Sequence, residues 1–76
     1  MKTVTLYTRA GCHLCEAAAA VIDRVAAGRA VVRHVDIDAD PVLTERYTVR
    51  VPVVAVDGVE IAEYELDPRH LEDALH

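Results

Sequence analysis

Residues 7–15 read YTRAGCHLC, and the segments on either side of this cysteine pair decide the fold. Before the pair, Thr3 to Thr8 alternates apolar and polar side chains and is rich in β-branched residues, which predicts a strand. After it, the segment from Cys12 to about Ala27 contains no helix breaker and much alanine, which predicts a helix. The sequence therefore predicts a strand, a turn at Arg9-Ala10-Gly11, and a helix that begins at the first cysteine.

The two cysteines lie at the front of this predicted helix. Cys12 falls at or just before the first helical turn, where free amide N–H groups and the positive end of the helix dipole favour a thiolate over a thiol. Cys15 lies one turn further on and shares a face of the helix with Cys12, so the two sulfurs can close a disulfide. We therefore expect Cys12 to be the attacking sulfur and Cys15 to be the resolving sulfur.

The helix and the segment after it predict a parallel βαβ unit. Gly28 supplies the C-terminal cap of the helix, and Ala30 to Ile37 alternates as a second strand. A strand, a helix of this length and a strand form a right-handed unit with the two strands parallel. The apolar residues of the helix recur at helical spacing and predict one buried face, formed by Leu14, Ala18, Val21, Ile22 and Val25.

Two Asp-Pro pairs and one hairpin signal organise the second half of the chain. Residues 40–41 and 67–68 each predict a helix start, with Asp as the N-cap and Pro at the first helical position. We expect the first of these helices to run to about Tyr47. Asp57-Gly58 separates two apolar runs, residues 53–56 and 59–62, and predicts that they pair as an antiparallel hairpin.

Composition and net charge indicate the number of domains and exclude several classes of partner. Of the 76 residues, 53% are hydrophobic and 28% are charged, which predicts one folded domain over residues 1–76. No segment approaches the roughly 20 apolar residues that span a bilayer, and the net charge of −5 argues against nucleic-acid and anionic-membrane partners. We see no export signal after Met1-Lys2 and expect a cytoplasmic monomer. In that compartment a close cysteine pair is typical of a catalytic or metal-binding site.

The CxxC motif after the first strand, Val51-Pro52 before the third, and the order of elements together resemble the glutaredoxin-like family, the short form of the thioredoxin fold. The resemblance covers nearly the whole chain. It implies an α/β domain with the order β-α-β-α-β-β-α, in which a four-stranded mixed sheet carries helices on both faces. It also implies a dithiol oxidoreductase that reduces protein or mixed disulfides. Such an enzyme needs no bound cofactor and is restored by glutathione, another small thiol, or a flavin enzyme such as thioredoxin reductase.

Four further residues are predicted to contact the substrate. The resemblance implies a cis Val51-Pro52 bond that faces the cysteines, so that the Val51 backbone binds the substrate like an added strand. Arg9 stands where glutaredoxins commonly keep a basic residue; it would pair with a substrate carboxylate, or it is a solvated turn residue. His13 as a cation would favour the Cys12 thiolate, or it is a solvated surface histidine.

Two other interpretations of the cysteine pair stay open. The main alternative is a metal or iron–sulfur module that uses Cys12 and Cys15 with an external thiol, because no proline stiffens the turn between the cysteines. Zinc requires four ligands and the chain has no second cysteine pair, so we predict no zinc site built from the chain's own residues. A pure interaction domain, with the cysteines as unreactive small apolar residues, is the remaining interpretation.

The sequence does not favour glutathione as a ligand. Glutaredoxins typically follow the fourth strand with a Gly-Gly turn and an acidic residue, which hold the γ-glutamyl end of glutathione. Residues 62–67 here read AEYELD, so paired glycines are missing and several carboxylates would meet an anionic tripeptide. Asp67 is the one candidate to replace the acidic residue, and an N-cap role explains it equally well.

Overall fold

The sheet in the computed structural model, which describes residues 1–76, has four strands: β1 (Lys2–Thr8), β2 (Ala30–Asp36), β3 (Val53–Val56) and β4 (Val59–Glu63). Their order across the sheet is β2-β1-β3-β4. Strand β1 is parallel to β2 and antiparallel to β3, and β4 is antiparallel to β3. The helices are α1 (His13–Ala26), α2 (Pro41–Tyr47) and α3 (Pro68–Ala74). The predicted α/β class, element order and mixed sheet are confirmed.

Helices pack on both faces of the sheet, as predicted. The larger core lies between the sheet, α1 and α3; it comprises Val4, Leu6, Ala18, Ile22, Ala26, Val54, Val56, Leu66 and Leu71. A smaller core lies on the opposite face, beneath α2, and comprises Ile37, Tyr47 and Val53. None of the three helices has the length and apolarity that crossing a bilayer requires.

The buried face of α1 differs from the predicted one. The buried residues are Cys15, Ala18, Ile22 and Ala26, whereas Leu14 is 44% exposed. The prediction was wrong for Leu14, because the stripe that touches the sheet is set by how α1 docks between β1 and α3, and no element covers the other side of its first turn. The corrected stripe places the second cysteine in contact with the sheet.

Strand β2 ends one residue earlier than predicted. Ile37 does not continue the strand but begins a single turn of 3-10 helix, Ile37–Ala39, whose first N–H groups are capped by the Asp36 side chain. The Asp36 Oδ1 accepts a hydrogen bond from the Asp38 N–H at 2.9 Å. The turn buries Ile37 completely in the smaller core. It also brings Asp38 towards the turn that precedes the cysteines.

The turn and cap signals of the sequence have the predicted structures. Asp40 and Asp67 are N-caps, and each accepts a hydrogen bond from the backbone N–H two residues later, at 2.9 and 2.8 Å. Asp57 and Gly58 both have positive φ angles, 50° and 85°, as a two-residue hairpin turn requires. Gly28 has φ 70° after the end of α1. These local features therefore fix where α2, α3 and the hairpin begin.

We expect the Ile22→Val variant to lose about 0.5–1.5 kcal/mol in free energy of unfolding, because Ile22 is fully buried in the larger core and the change leaves a methyl-sized gap. Urea denaturation followed by circular dichroism measures this loss. Val42→Ala is the control, because Val42 is 69% exposed and its truncation should change stability by no more than about 0.5 kcal/mol. Equal losses in the two variants would contradict the assigned core.

Candidate active site

Cys12 is the N-cap residue of α1. Its backbone is extended, and its Sγ accepts a hydrogen bond from the Cys15 N–H at 3.2 Å. Its carbonyl accepts the Glu16 N–H at 3.1 Å, which is the first hydrogen bond of the helix. An oxygen of Ser, Thr, Asp or Asn usually caps a helix, and here a sulfur takes that position. The same N–H and the end of the helix dipole would stabilise negative charge on this sulfur.

Cys15 lies one turn further along α1 in a different environment. Both cysteines are free thiols; Cys15 is only 2% exposed, whereas Cys12 is partly exposed. Burial raises the pKa of the Cys15 thiol, and the neighbouring Cys12 raises it further. The nearby Thr8 side chain and Arg9 backbone lower the pKa of the Cys15 thiol, but they do not cancel the effect of burial. The structure thus brings the two predicted catalytic residues together and distinguishes them by exposure.

The Val51–Pro52 peptide bond is cis, as the resemblance implies. Pro52 is buried directly before β3, and its carbonyl accepts the Tyr64 N–H at 2.9 Å. The N–H and C=O of Val51 take no part in the backbone hydrogen bonds of the chain. Val51 therefore keeps a donor and an acceptor for another molecule, and its contact with a substrate stays a prediction.

Arg9 is held by contacts within the chain. Its guanidinium forms two hydrogen bonds to the Asp38 carboxylate, from Nη2 at 2.7 Å and from Nε at 3.0 Å, and Nη1 donates to the Thr48 carbonyl at 3.1 Å. The paired guanidinium holds the pKa of the Asp38 carboxyl below its ordinary value. Arg9 thus fixes the turn before Cys12 to the segments on either side of α2. Its pairing with a substrate carboxylate stays a prediction.

His13 points into solvent between the two cysteines. Its side chain is 99% exposed, and its Nδ1 lies 3.6 Å from the Glu16 Oε2. The ring is therefore almost fully solvated and is free to meet a docked substrate. A role in substrate contact stays a prediction.

A groove of about 680 Å³ borders the site on the α3 side, and we refer to it as the α1–α3 groove. Leu14 and Val21 line one wall, and Tyr64, Glu65 and Asp67 contribute to the other. Tyr64 has φ 68°, which is uncommon for a residue other than glycine. The sequence indicated the missing glycines and the carboxylates of this segment, but it did not predict the apolar contact that Leu14, Val21 and Tyr64 provide. No Lys or Arg lines the groove.

A second depression of about 340 Å³, the α1–β2 cleft, lies on the other side of the cysteines. Both Cys12 and Cys15 line it, together with Leu6, His34 and Asp36. Sequence reasoning assigned His34 to a strand but gave it no role. His34 lies beside the cysteines because the parallel register of β1 and β2 pairs it with Leu6. The alternation of residues within one strand does not indicate which residue of the neighbouring strand it will pair with.

No three or more His, Cys, Asp or Glu side chains are grouped in a way that could hold a metal ion. A metal ion or cluster bound at Cys12 and Cys15 would therefore need further ligands from outside the chain.

Known proteins with this architecture are similar to the chain over nearly its full length. The family model described as Glutaredoxin-like domain (DUF836) matches residues 3–76. The X-ray structure of Northeast Structural Genomics target protein XcR50 from X. campestris is 36% identical, with a TM-score of 0.79 over 95% of this chain and 93% of that one. Protein Ne2328 from Nitrosomonas europaea is 29% identical, with a TM-score of 0.82 over 99% and 92%.

A thioredoxin shares the fold as well. A mutant thioredoxin from Halobacterium salinarum NRC-1 is 25% identical, with a TM-score of 0.72 over 97% of this chain and 71% of that one. None of the curated proteins matches the chain.

We expect iodoacetamide to label Cys12 before Cys15 at neutral pH, by at least about tenfold in rate, because Cys15 is buried and its raised pKa leaves less reactive thiolate. Mass spectrometry of peptides from timed samples measures the two rates. In the Cys12→Ser variant, labelling of Cys15 should be slow at neutral pH and should rise steeply towards alkaline pH. Unfolding in urea is the control and should bring the two rates together. Equal rates in the folded protein would contradict the assigned difference.

Proposed function

The chain belongs to the glutaredoxin-like domain family, and from this premise we propose that it is a thiol-disulfide oxidoreductase that reduces protein or mixed disulfides. One observation carries the proposal: the partly exposed Cys12 sulfur caps α1, 3.2 Å from the Cys15 N–H, while Cys15 lies buried one turn behind it. An accessible sulfur with support for its anion suits an attacking thiolate, and a shielded neighbour suits a resolving thiol.

In the first step, the Cys12 thiolate attacks one sulfur of the substrate disulfide. A bond forms between Cys12 Sγ and that sulfur, and the second substrate sulfur leaves as a thiolate. The attack requires an approach in line with the substrate S–S bond. The partial exposure of Cys12 at the end of α1 permits it.

In the second step, Cys15 loses its proton and attacks Cys12 Sγ. The bond between Cys12 and the substrate breaks, the substrate leaves as a second thiolate, and a Cys12–Cys15 disulfide remains. The substrate disulfide has then gained two electrons from the cysteine pair. A small thiol or a flavin enzyme such as thioredoxin reductase would return the pair to the dithiol form.

The surroundings of Cys12 favour an extended protein segment as substrate. Val51 offers a free backbone donor and acceptor, with which such a segment can pair as an added strand. The α1–α3 groove offers apolar contact at Leu14 and Tyr64, and Glu65 and Asp67 line it with negative charge. A disulfide flanked by apolar and basic side chains therefore suits this surface better than an anionic tripeptide.

The chemistry of the proposed cycle also suggests a cellular compartment and an oligomeric state for the protein. The cycle starts from the dithiol form, which persists in a reducing compartment such as the cytoplasm. Both sulfurs come from one turn of α1, so a single copy of the chain supplies the complete dithiol. We therefore propose a cytoplasmic monomer, without a resident cofactor.

We expect Cys12→Ser to abolish disulfide reduction, because it removes the attacking sulfur, and Cys15→Ser to accumulate a mixed disulfide at Cys12. Reduction of a small protein disulfide is followed by its absorbance change, and intact-mass spectrometry detects the trapped adduct. The double variant is the control and should neither reduce the substrate nor form an adduct. Equal residual activity in the two single variants would contradict the assigned roles.

We expect Glu65→Lys to lower kcat/KM for the dicationic disulfide cystamine and to raise it for the anionic oxidised glutathione, each by about threefold at low salt, because it reverses a charge in the α1–α3 groove. Glu45→Lys is the matched control, because it changes the net charge equally from an exposed position on α2. Added salt should remove the difference. Identical effects of the two variants would show that net charge, and not the groove, selects the substrate.

A further inference from the structure

The second step of the proposed cycle requires a proton acceptor. Cys15 must lose its proton before it attacks, yet the side chain is 2% exposed and burial raises its pKa. Leu6, which lines the same cleft, is fully buried and apolar, so it offers no proton acceptor. The α1–β2 cleft, which Cys15 lines, is the depression that joins this thiol to solvent.

The ionisable groups that share this cleft with Cys15 are Arg9, Cys12, Glu16, His34 and Asp36. Arg9 is a cation bound to a carboxylate, and Cys12 is bonded to the substrate at this stage. Carboxylates as a class are weak bases at neutral pH, whereas a neutral imidazole accepts a proton there readily. Among these groups, His34 is the one whose side-chain chemistry suits a proton acceptor.

The register of the sheet explains why His34 lies in this cleft. His34 is paired with Leu6 in the parallel β1–β2 ladder, and Asp36 is paired with Thr8. Val32, two residues earlier on the same side of β2, packs into the core beneath α1, so His34 projects on the same face of the sheet. Because β2 is an edge strand, this end of the cleft is open and His34 is exposed to water.

Two of the residues that share the cleft with His34 are acidic. Asp36 and Glu16 line the same cleft, so its carboxylates give it negative charge. The opposing charge of Arg9 is compensated by its ion pair with Asp38, at 2.7 Å. A proton that moves from the buried thiol to His34 therefore passes to a more negative and better solvated position.

We propose that His34 accepts the Cys15 proton through cleft water in the resolving step, an inference that rests on the proposed function. The S–H proton of Cys15 passes by way of water to the neutral imidazole, and the Cys15 sulfur attacks Cys12 Sγ. A bond forms between these two sulfurs, the bond from Cys12 to the substrate breaks, and the substrate leaves as a thiolate. The imidazolium then returns its proton to the leaving thiolate or to solvent, so that the charges and protons balance.

The aromatic disulfide 5,5′-dithiobis(2-nitrobenzoate) separates the two steps in one stopped-flow experiment. Attack by Cys12 releases one coloured nitrothiobenzoate, and resolution by Cys15 releases the second. In His34→Gln the rate of the first release should be unchanged, and the rate of the second should fall about tenfold at neutral pH. This loss is smaller than the usual contribution of an acid–base group, because the ring is exposed and acts through water. His70→Gln on α3 is the matched control and should match the unsubstituted protein in both phases.

The pH profile distinguishes a proton acceptor from a structural role. The difference between His34→Gln and the unsubstituted protein should be largest near neutral pH and should vanish at alkaline pH, where Cys15 ionises unaided. A second release that is equally fast in the variant, or slowed by the same factor at every pH, would overturn the inference. A second release that persists in Cys15→Ser would instead overturn the proposed function, because resolution would not then need the second cysteine.

Discussion

The hydrogen bond from the Cys15 N–H to Cys12 Sγ joins the folding of α1 to the chemistry proposed for it. The sulfur completes the first turn of the helix in the place of a capping oxygen, so its position is fixed by the same contacts that fix the start of α1. Those contacts begin in the core, because β1 places Val4 and Leu6 fully buried beneath the helix. The partly exposed sulfur is therefore positioned by the packed core of the domain.

Short-range signals account for the part of the fold that the sequence predicted. The Asp-Pro helix starts at residues 40–41 and 67–68, and the Asp57-Gly58 turn, act through bonds and backbone angles within a few residues. The two errors have a different origin. Leu14 is exposed and Ile37 leaves the strand because of what other elements cover, and helical or alternating spacing contains no information on the partner surface.

The candidate site divides in the same way. The spacing of Cys12 and Cys15 is enough to place both sulfurs on one turn of a helix. The contact of Arg9 with Asp38 joins residues 29 apart in sequence and depends on the 3-10 turn after β2, which no local pattern indicated. The sequence also gave no indication of the positive φ angle of Tyr64, because such an angle is usually indicated by glycine, asparagine or aspartate. Contacts between remote segments therefore define the walls of the site, and the local sequence defines its centre.

The different environments of the two sulfurs follow from the geometry of a helix docked on a sheet. The N-cap lies outside the helix and at the rim of the sheet, so a side chain there keeps contact with solvent. The residue three positions later shares its face of the helix with Ala18, Ile22 and Ala26, which α1 buries against the sheet. Two chemically identical thiols thus differ in exposure because one lies at the N-cap and the other on the face that packs against the sheet. The order in which they are proposed to react is consequently a property of packing.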